Sequence, residues 1–499
     1  MDMEQSGGGG GIAARRPQPS PAAAGGGEDR LGALPDDVIV LILLRLDTAA
    51  AVRTSVLSSR WRRVWALLPE LRFHLAPDGH RIREILDAPE ALSLVCISVT
   101  TKVAGPESAA AWLPAAARRL SGDLVYHNMT APARMKKRGD VLLPCFEKAT
   151  SIELNMGFLR LALPSLGVFA RLAELSLMRV RFRGQCELGD AVSSPRCPCL
   201  QKLNVYLSRG LHNLSIHSES LVQIVLDNLA SLRELTIVAP NLQRLDVKHS
   251  LYEDDESEPV ANITAPQLVF LMWRDVYDPE SIHLGNLERL QRLSTNYFNV
   301  YGLQEDNQSC LSLLQLFKVI DTLRLPLVWQ DIDEYEYLMG DMEMLPQIRF
   351  LYLSIFNQGH GVGANLFRVL RICTGLRKLS LVLRSSSSLE CLSGCPCDEP
   401  TSWKTEELLL NHLEDIRILN LKGADHEVAF LKQLFKWATV LKKMTIAFDY
   451  QVSKSKAEEF RQALAGSSRP ETFVGFYMYQ DADKRVLVLI KPEDQGTGL

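Results

Sequence analysis

A recurring pattern of apolar and variable positions occupies most of the chain after residue 145. Each copy has an apolar residue, two variable residues, a second apolar residue, one variable residue and a third apolar residue. The alternation inside each copy is typical of a strand with one side facing a core. Copies with this spacing include Leu172-Leu175-Leu177, Leu221-Ile224-Leu226, Leu242-Leu245-Val247, Ile348-Leu351-Leu353 and Leu441-Met444-Ile446. The pattern therefore predicts a long series of short, half-buried strands.

The spacing of the central copies gives the length of the repeat. Copies begin at Leu200, Leu211, Leu221, Leu232 and Leu242. Turn residues precede every second copy, so the full period is 21 residues, with a short return strand midway on the opposite face. A unit of this length with the L-x-x-L-x-L pattern is typical of leucine-rich repeats. Such units stack into a curved solenoid whose parallel strands line a concave wall.

The variable positions of these strands are the predicted recognition surface. A concave wall suits the binding of another protein or a small ligand, and it presents no catalytic cleft. Examples of the side chains expected to select a target are Gln201, Gln223, Arg233 and Arg244. The sequence alone does not assign each of them to a face. The acidic segment 253–258 is interpreted as a solvated insertion, with attraction of a basic partner as the alternative.

A different pattern lies in residues 35–46, PDDVIVLILLRL. Asp36 and Asp37 favour the start of a helix because they complement its dipole, and the following residues are apolar on every face. Such a helix must be covered all round, yet it is too short for a bilayer. Residues 48–68 place a stripe at helical spacing that covers one side only: Leu57, Trp61, Val64, Trp65 and Leu68. The surplus apolar surface predicts docking onto a partner; an ordinary core helix of a larger domain is the alternative.

The residues of these two segments closely resemble the F-box. The resemblance covers about residues 30–72 and is carried by LPDDVI at 34–39, ILLRL at 42–46 and VLSSRWRRVW at 56–65. Many F-boxes have a proline just after the first helix, where this chain has Asp47-Thr48. The resemblance implies docking onto the Skp-type adaptor of a cullin ring ligase, and through it onto cullin. The interface positions that it implies are Leu34, Pro35, Ile39, Ile42, Leu43, Val56, Leu57 and Trp61. Some of these, especially Trp61, fit the internal core of an F-box equally well.

The C-terminal block is similar to the FBD module found at the end of many plant F-box repeat proteins. The resemblance is carried by WKTEEL at 403–408, LEDIRI at 413–418, EVAFL at 427–431 and VLKKMTI at 440–446. Residues 425–439, which contain EVAFL, are predicted to form a helix. Its buried side has helical spacing and consists of Val428, Leu431, Leu434 and Phe435. We expect this module to cap the solenoid at the end opposite the F-box.

Together these patterns predict an α/β chain in five segments. Residues 1–28 are rich in Gly, Ala and Pro and are expected to be a disordered tail. The helical F-box occupies 29–75, and the repeat solenoid, with a parallel sheet and irregular or helical return segments, occupies 76–398. The FBD-like module follows at 399–475, and 476–499 form a C-terminal tail. Because repeats contact only their neighbours, we expect the F-box and the solenoid to be physically independent.

Composition narrows the classes of function. The 499 residues with 46% hydrophobic content suffice for more than one core. The balance of 55 basic and 59 acidic residues lacks the basic excess of a nucleic-acid binder. No apolar run approaches the ~20 residues of a membrane span, and the N-terminus lacks a secretory signal. Ten scattered cysteines favour a reduced compartment. We therefore expect no nucleic-acid or membrane partner, and a location in the nucleus, the cytoplasm or both.

Two motifs look like cofactor or metal sites. Gly359-x-Gly361-x-x-Ala364 fits the dinucleotide fingerprint between a strand and a helix. The next strand, 379–383, ends in Arg384 and offers no carboxylate for the ribose, so a flexible loop between repeats explains the glycines. The cysteines at 391, 395 and 397 supply at most half of a structural zinc site, which needs four ligands. We expect no cofactor and no metal.

The sequence thus favours a non-catalytic adaptor that brings an unidentified protein target to a ubiquitin ligase. Neither a G-x-S-x-G elbow nor an H-E-x-x-H motif is present for an enzyme of its own. Two alternatives stay open. One is a leucine-rich-repeat scaffold or small-ligand receptor without a role in a ligase, and the other is an enzyme that uses the glycine loop at 359–363.

Overall fold

The computed structural model describes residues 34–479 and 487–489, with gaps. The gaps are 55, 57, 65–66, 76–77, 88–93, 130–138, 183–186, 252–257, 304, 306, 330–334, 385–396, 398 and 400. The predicted disordered tail 1–28, most of the acidic segment 253–258, and the cysteines at 391 and 395 lie outside the described residues.

Ten α-helices occur in the described part of the chain. In chain order they are α1 Asp36–Leu43, α2 Thr48–Thr54, α3 Ser59–Val64, α4 Gly79–Leu86, α5 Pro106–Arg119, α6 Glu187–Val192, α7 Gln308–Gln315, α8 Gly363–Ile372, α9 Asp425–Trp437 and α10 Lys454–Ala463. A short 3-10 helix, Thr401–Lys404, precedes α9. No helix among the described residues is long and apolar enough to cross a membrane.

The strands are short and numerous. In chain order they are β1 Glu70–Phe73, β2 Leu94–Thr101, β3 Leu120–Asn128, β4 Asp140–Leu142, β5 Ser151–Asn155, β6 Arg160–Ala162, β7 Glu174–Met178, β8 Arg181–Phe182, β9 Lys202–Tyr206, β10 Asn213–His217, β11 Gln223–Asp227, β12 Glu234–Val238, β13 Arg244–Lys248, β14 Val260–Thr264, β15 Phe270–Arg274, β16 Ile282–His283, β17 Arg292–Ser294, β18 Phe298–Asn299, β19 Tyr301–Gly302, β20 Val319–Val328, β21 Glu336–Tyr337, β22 Gln347–Phe356, β23 Lys378–Leu383, β24 Asp415–Leu421, β25 Lys443–Phe448, β26 Phe473–Tyr479 and β27 Leu487–Leu489.

One main sheet of eighteen strands runs through the described chain, and all of its pairs are parallel except the last. In its centre Lys202, Gln223 and Arg244 pair in register across β9, β11 and β13. This register confirms the predicted period of 21 residues. The next step, from Arg244 to Phe270, is longer because it contains the insertion that was predicted there.

The predicted return strands form a second sheet. β10, β12, β14 and β16 pair in parallel, with Asn213 opposite Glu234 and Glu234 opposite Val260. Along the sequence, each of these strands lies midway between two strands of the main sheet. This confirms the prediction of a return strand in every central repeat. A smaller sheet of β4, β6 and β8 has the same place in the preceding repeats.

The main sheet extends beyond the repeats that the sequence pattern identified. It begins with β1, inside the segment predicted as F-box, and includes β2 and β3 before residue 145. At the other end it continues through β24 and β25 into β26, which lie in or next to the predicted FBD-like module. β27, in the predicted C-terminal tail, pairs antiparallel with β26 and ends the sheet.

The helical prediction for residues 48–68 is wrong in one respect. Helix α2 ends at Thr54 and α3 begins at Ser59, so two helices stand where the stripe at helical spacing suggested one. The Ser58 hydroxyl accepts a hydrogen bond from the Trp61 amide at 3.3 Å, as expected of a residue that caps a helix start. The cap explains why the second helix begins where it does.

A single cluster of buried apolar residues runs from Ile39 in α1 to Leu464 after α10. The predicted helix at 425–439 is α9, in which Leu431, Leu434 and Phe435 are buried and Val428 is half-buried. Together the helices, the parallel sheet and the return strands confirm the predicted α/β class.

Candidate partner-binding site

The first helix divides its apolar residues between two sides. Ile39 and Leu43, four positions apart, point into the core and are 0% and 1% exposed. Leu41 is 62% exposed, and Val38 and Ile42 are also exposed. A helix of eight residues that leaves one large aliphatic side chain mostly exposed and two more partly exposed has apolar surface that the protein does not cover. This surface is the structural counterpart of the docking that the apolar run predicted.

Arg60 fixes α3 against the start of α1. Its guanidinium lies 2.6 Å from the Asp36 carboxylate and also donates to the carbonyl oxygen of Leu34. Both charged groups are partly exposed, and a pair of this kind stabilises by only about 0–1 kcal/mol. Its contribution is therefore mainly to orient the segment that precedes α1.

The helical module is packed onto the first strand of the main sheet. The Thr48 hydroxyl, which is buried, accepts a hydrogen bond from the Arg72 amide of β1 at 2.6 Å. Trp61 and Val64 of α3 belong to the same buried cluster as Leu71 of β1. The exposed side of α1 is thus presented at one end of the sheet.

The predicted interface residues fall into three groups. Pro35, Ile42 and Val56 are exposed, Val56 at 84%, and Leu34 is half-exposed. The second group, Ile39, Leu43 and Trp61, is buried in the protein itself. Leu57 lies outside the described residues.

Because Ile39, Leu43 and Trp61 are buried, they pack within the core of the protein. Their contact with a partner stays a prediction. Sequence reasoning missed three exposed apolar residues, which are Val38, Leu41 and Leu46. The apolar run contained them, but a helix that is apolar all round does not reveal which side faces the core.

A second candidate site lies on the open face of the main sheet, defined as the side whose side chains alternate with the buried positions of each strand. Gln223 and Arg244 lie on this face, at matching positions of β11 and β13. Gln201 immediately precedes β9. The expectation for Arg233 is corrected: it precedes β12 of the return sheet, because it belongs to the half of the repeat that leads back.

The glycine loop before α8 is packed rather than open. The Gly361 amide donates to the Cys397 sulfur at 3.3 Å, and Gly363 lies against the indole of Trp403. Close packing therefore replaces chain flexibility as the reason for these glycines.

Three of the described cysteines, Cys197, Cys310 and Cys373, are buried and uncharged. Burial raises the pKa of the Cys197, Cys310 and Cys373 thiols to about 12, and a thiol in that state is a poor nucleophile and metal ligand. Within the described part of the chain, no three His, Cys, Asp or Glu side chains are grouped so as to hold a metal ion.

Three families match separate parts of the chain. The family described as F-box domain matches residues 31–73, which contain α1 to α3 and β1. The family described as FBD-associated F-box protein At5g56370, LRR repeats, matches residues 109–286. The family described as FBD matches residues 407–446, which contain β24 and α9. Along the chain, the matched families follow the order of the N-terminal helices, the repeat strands and the region of α9.

Relatives in Arabidopsis thaliana are named after one or more of these three domains. The putative F-box/FBD/LRR-repeat protein At4g03220 is 25% identical over 469 residues, which cover 88% of this chain and 93% of the relative. The FBD-associated F-box protein At4g10400 is 30% identical over 285 residues, or 54% of this chain and 61% of the relative. A short match of 48 residues to the putative F-box protein At1g67390 reaches 54% identity over 10% of each chain.

Proposed function

Since the chain belongs to the plant F-box/FBD/leucine-rich-repeat proteins, we propose that it is the substrate-recognition subunit of an SCF-type ubiquitin ligase. The F-box docks onto a Skp-type adaptor and through it onto cullin, and the repeats bind a protein target. Ubiquitin transfer then belongs to other subunits, and this chain contributes proximity and orientation without a catalytic residue or cofactor. The proposed place of action is the nucleus, the cytoplasm or both.

The observation that carries the proposal is the exposed apolar side of α1. Leu41 is mostly exposed and Ile42 and Val38 are partly exposed, within the part of the chain that matches the F-box domain. Val56, after α2, adds a further large exposed side chain. Apolar side chains grouped on a surface mark an interaction site, because water leaves them at a gain in free energy when a partner covers them.

The test introduces charge on this side without disturbing the buried side. In the variant Leu41→Asp/Ile42→Asp, Ile39 and Leu43 keep their packing, so the fold should survive. Two carboxylates in a dry interface should cost at least about 3 kcal/mol, or roughly a hundredfold or more in affinity. Binding is measured by calorimetry with a purified Skp-type adaptor, and folding by circular dichroism.

A matched control changes exposed leucines elsewhere. Leu166 and Leu409 are both exposed and lie outside the F-box match. The variant Leu166→Asp/Leu409→Asp should bind the adaptor like the unchanged protein. If Leu41→Asp/Ile42→Asp keeps its affinity for the adaptor, the docking side is wrongly assigned. If the unchanged protein fails to bind any Skp-type adaptor, the ligase role falls and the scaffold alternative replaces it.

A further inference from the structure

The two halves of the main sheet differ in whether the charged side chains on the open face are paired. In the N-terminal half, Glu70, Glu153 and Glu174 lie on this face. Each has a neighbour that neutralises or binds it: Arg72 at 2.7 Å, His127 at 2.9 Å and Lys202 at 3.5 Å, respectively. The carboxylates of this half are therefore largely satisfied within the chain.

The C-terminal half has cations on this face that form no ion pair with a carboxylate of the described residues. Arg244, Lys248 and Lys378 each form an ion pair, with Asp246, Asp227 and Asp415. A further four basic residues occupy open-face positions of β17, β20, β24 and β25: Arg292, Arg324, Arg417 and Lys443. None of these four forms an ion pair with a carboxylate among the described residues.

Aromatic rings hold several of these cations in place. Arg292 lies over the ring of Phe270 at 5.5 Å from its centre, and Arg324 lies over Tyr352 at 5.4 Å. Lys378 has the same relation to Phe350. An aromatic ring restricts a long side chain while leaving its charge available, because the ring attracts a cation without neutralising it. Arg292, Arg324 and Lys378 are in this way partly ordered before any partner arrives.

A shallow depression of about 550 Å³ lies among these residues. Four cations and a single carboxylate line it, Arg324, Lys378, Arg417, Lys443 and Asp415. Phe350, Tyr352 and Tyr477 add aromatic surface. The depression reaches from β20 to β26 and therefore crosses strands rather than following one.

The strand spacing fixes the dimensions of a matching ligand. Arg324 and Arg417 lie in one row across the sheet, with Tyr352 and Ser380 between them. They are three strands apart, or about 14 Å at a spacing of ~4.8 Å. An extended peptide rises about 3.4 Å per residue, so side chains at positions i and i+4 are separated by about the same length.

We propose that this part of the open face, from β20 to β25, binds an extended acidic segment of the target protein with carboxylates at positions i and i+4. The proposal rests on the proposed function, since it names the class of target segment that the repeats select. Arg324 and Arg417 receive the two carboxylates through charge-assisted hydrogen bonds, and the aromatic side chains contact the residues between them. Asp415, within the depression, disfavours a nucleic-acid backbone, whose evenly spaced phosphates would place one close to this carboxylate.

The test is a selection from a random-sequence peptide library on the full chain. The unchanged protein should enrich peptides with two acidic residues four positions apart. In Arg324→Glu/Arg417→Glu the affinity for those peptides should fall at least about tenfold, since two charge-assisted contacts become repulsive. The same variant should enrich basic peptides instead. The matched control is Arg81→Glu/Lys432→Glu, an equal charge change at exposed positions on α4 and α9, which should select like the unchanged protein.

Three results would overturn the inference. They are selection without acidic enrichment, acidic enrichment that is insensitive to Arg324→Glu/Arg417→Glu, and tighter binding of a single-stranded oligonucleotide than of the selected peptides. Adaptor binding by Arg324→Glu/Arg417→Glu is measured in parallel and should be unchanged. Intact adaptor binding without acidic selection rejects this inference alone, whereas loss of adaptor binding by the unchanged chain rejects the proposed function.

Discussion

Asp275, directly after β15, is a carboxyl group that the fold buries without neutralising. It is 6% exposed, and its Oδ1 accepts a hydrogen bond from the Ser250 amide at 2.8 Å. Burial raises the pKa of Asp275 to about 6, and nearby Asp227 acts in the same direction, while the amides of Ser250 and Leu251 lower it. The charged form is therefore less stable in the folded protein than in the unfolded chain.

The pH dependence of stability follows from this shift. Because the folded pKa lies above the ordinary value of 3.8, the folded state holds more protons between the two values. Stability should therefore decrease as the pH rises through this range and level off above pH 6. From pH 5 to pH 7.5, Asp275 should remove about 1–1.5 kcal/mol from the free energy of unfolding. Asp275→Asn should lack this decrease in urea titrations, whereas Asp341→Asn, at an exposed position, should retain it. Equal slopes for all three proteins would falsify the assignment.

Single residues of α1 show what the sequence could and could not predict about the candidate site. The run from Val38 to Leu44 predicted an apolar helix with a surplus of surface, and the exposure of Leu41 and Ile42 agrees. The sequence could not separate Ile42 from Leu43, because neighbouring positions of an all-apolar helix differ only in what the rest of the fold places beside them. That assignment depends on α3, which packs on one side of α1.

At the scale of elements, spacing revealed the regular repeats, and the local pattern revealed irregular ones after residue 145, such as β22 and β25, but not the first strands. Strands β9, β11 and β13 recur every 21 residues, so spacing alone revealed them. The first strands carry the same signal, with Leu68, Leu71 and Phe73 before β2 and Leu94, Ile97 and Val99 within it. They were missed because helices of different length, α4 and α5, separate them and remove the constant period.

The start of α8 allows a test of how elements pack. A Cβ at Gly363 would lie 2.5 Å from Cζ2 of Trp403, whereas a Cβ at Gly361 would lie 3.6 Å from the Cys397 sulfur, an ordinary contact. Gly363→Ala should therefore destabilise the protein by about 1–3 kcal/mol, and Gly361→Ala should change stability by less than about 0.5 kcal/mol. Urea midpoints of the two variants decide this. Similar midpoints for the two variants would contradict the close packing of Gly363 against Trp403. If the unchanged protein binds a nucleotide and Gly361→Ala abolishes that binding, the dinucleotide alternative is restored.

At the scale of the whole molecule, the F-box and the repeats share one core. Thr48 of α2 is bonded to Arg72 of β1, and β1 pairs with β2 from Glu70 opposite Cys96 to Phe73 opposite Val99. The expectation of two physically independent modules followed from repeats contacting only their neighbours. Here the first neighbour of the array is the F-box itself, so the same rule predicts that the F-box and the first repeats stabilise each other.

A truncation series tests this continuity. Deletion of residues 1–75 removes β1 and leaves the edge of β2 without its partner strand, and it uncovers the core beside Ile97 and Val99. An unpaired edge over exposed apolar groups favours association between chains. We expect this truncated protein to self-associate in light scattering and to unfold at a lower urea concentration than the unchanged chain. Deletion of residues 1–33, outside the described part of the chain, is the matched control and should leave both properties as they are.

The result of the 1–75 deletion decides whether adaptor docking and target binding can be tested separately by truncation. A monomeric product of the 1–75 deletion with the unchanged urea midpoint would restore the independent modules. Self-association would instead mean that a loss of target binding after truncation reports damage to the repeats and not a missing contact. Leu41→Asp/Ile42→Asp avoids this ambiguity because it leaves β1 and the buried side of α1 intact, so its target binding should equal that of the unchanged protein while ubiquitination of the target is lost.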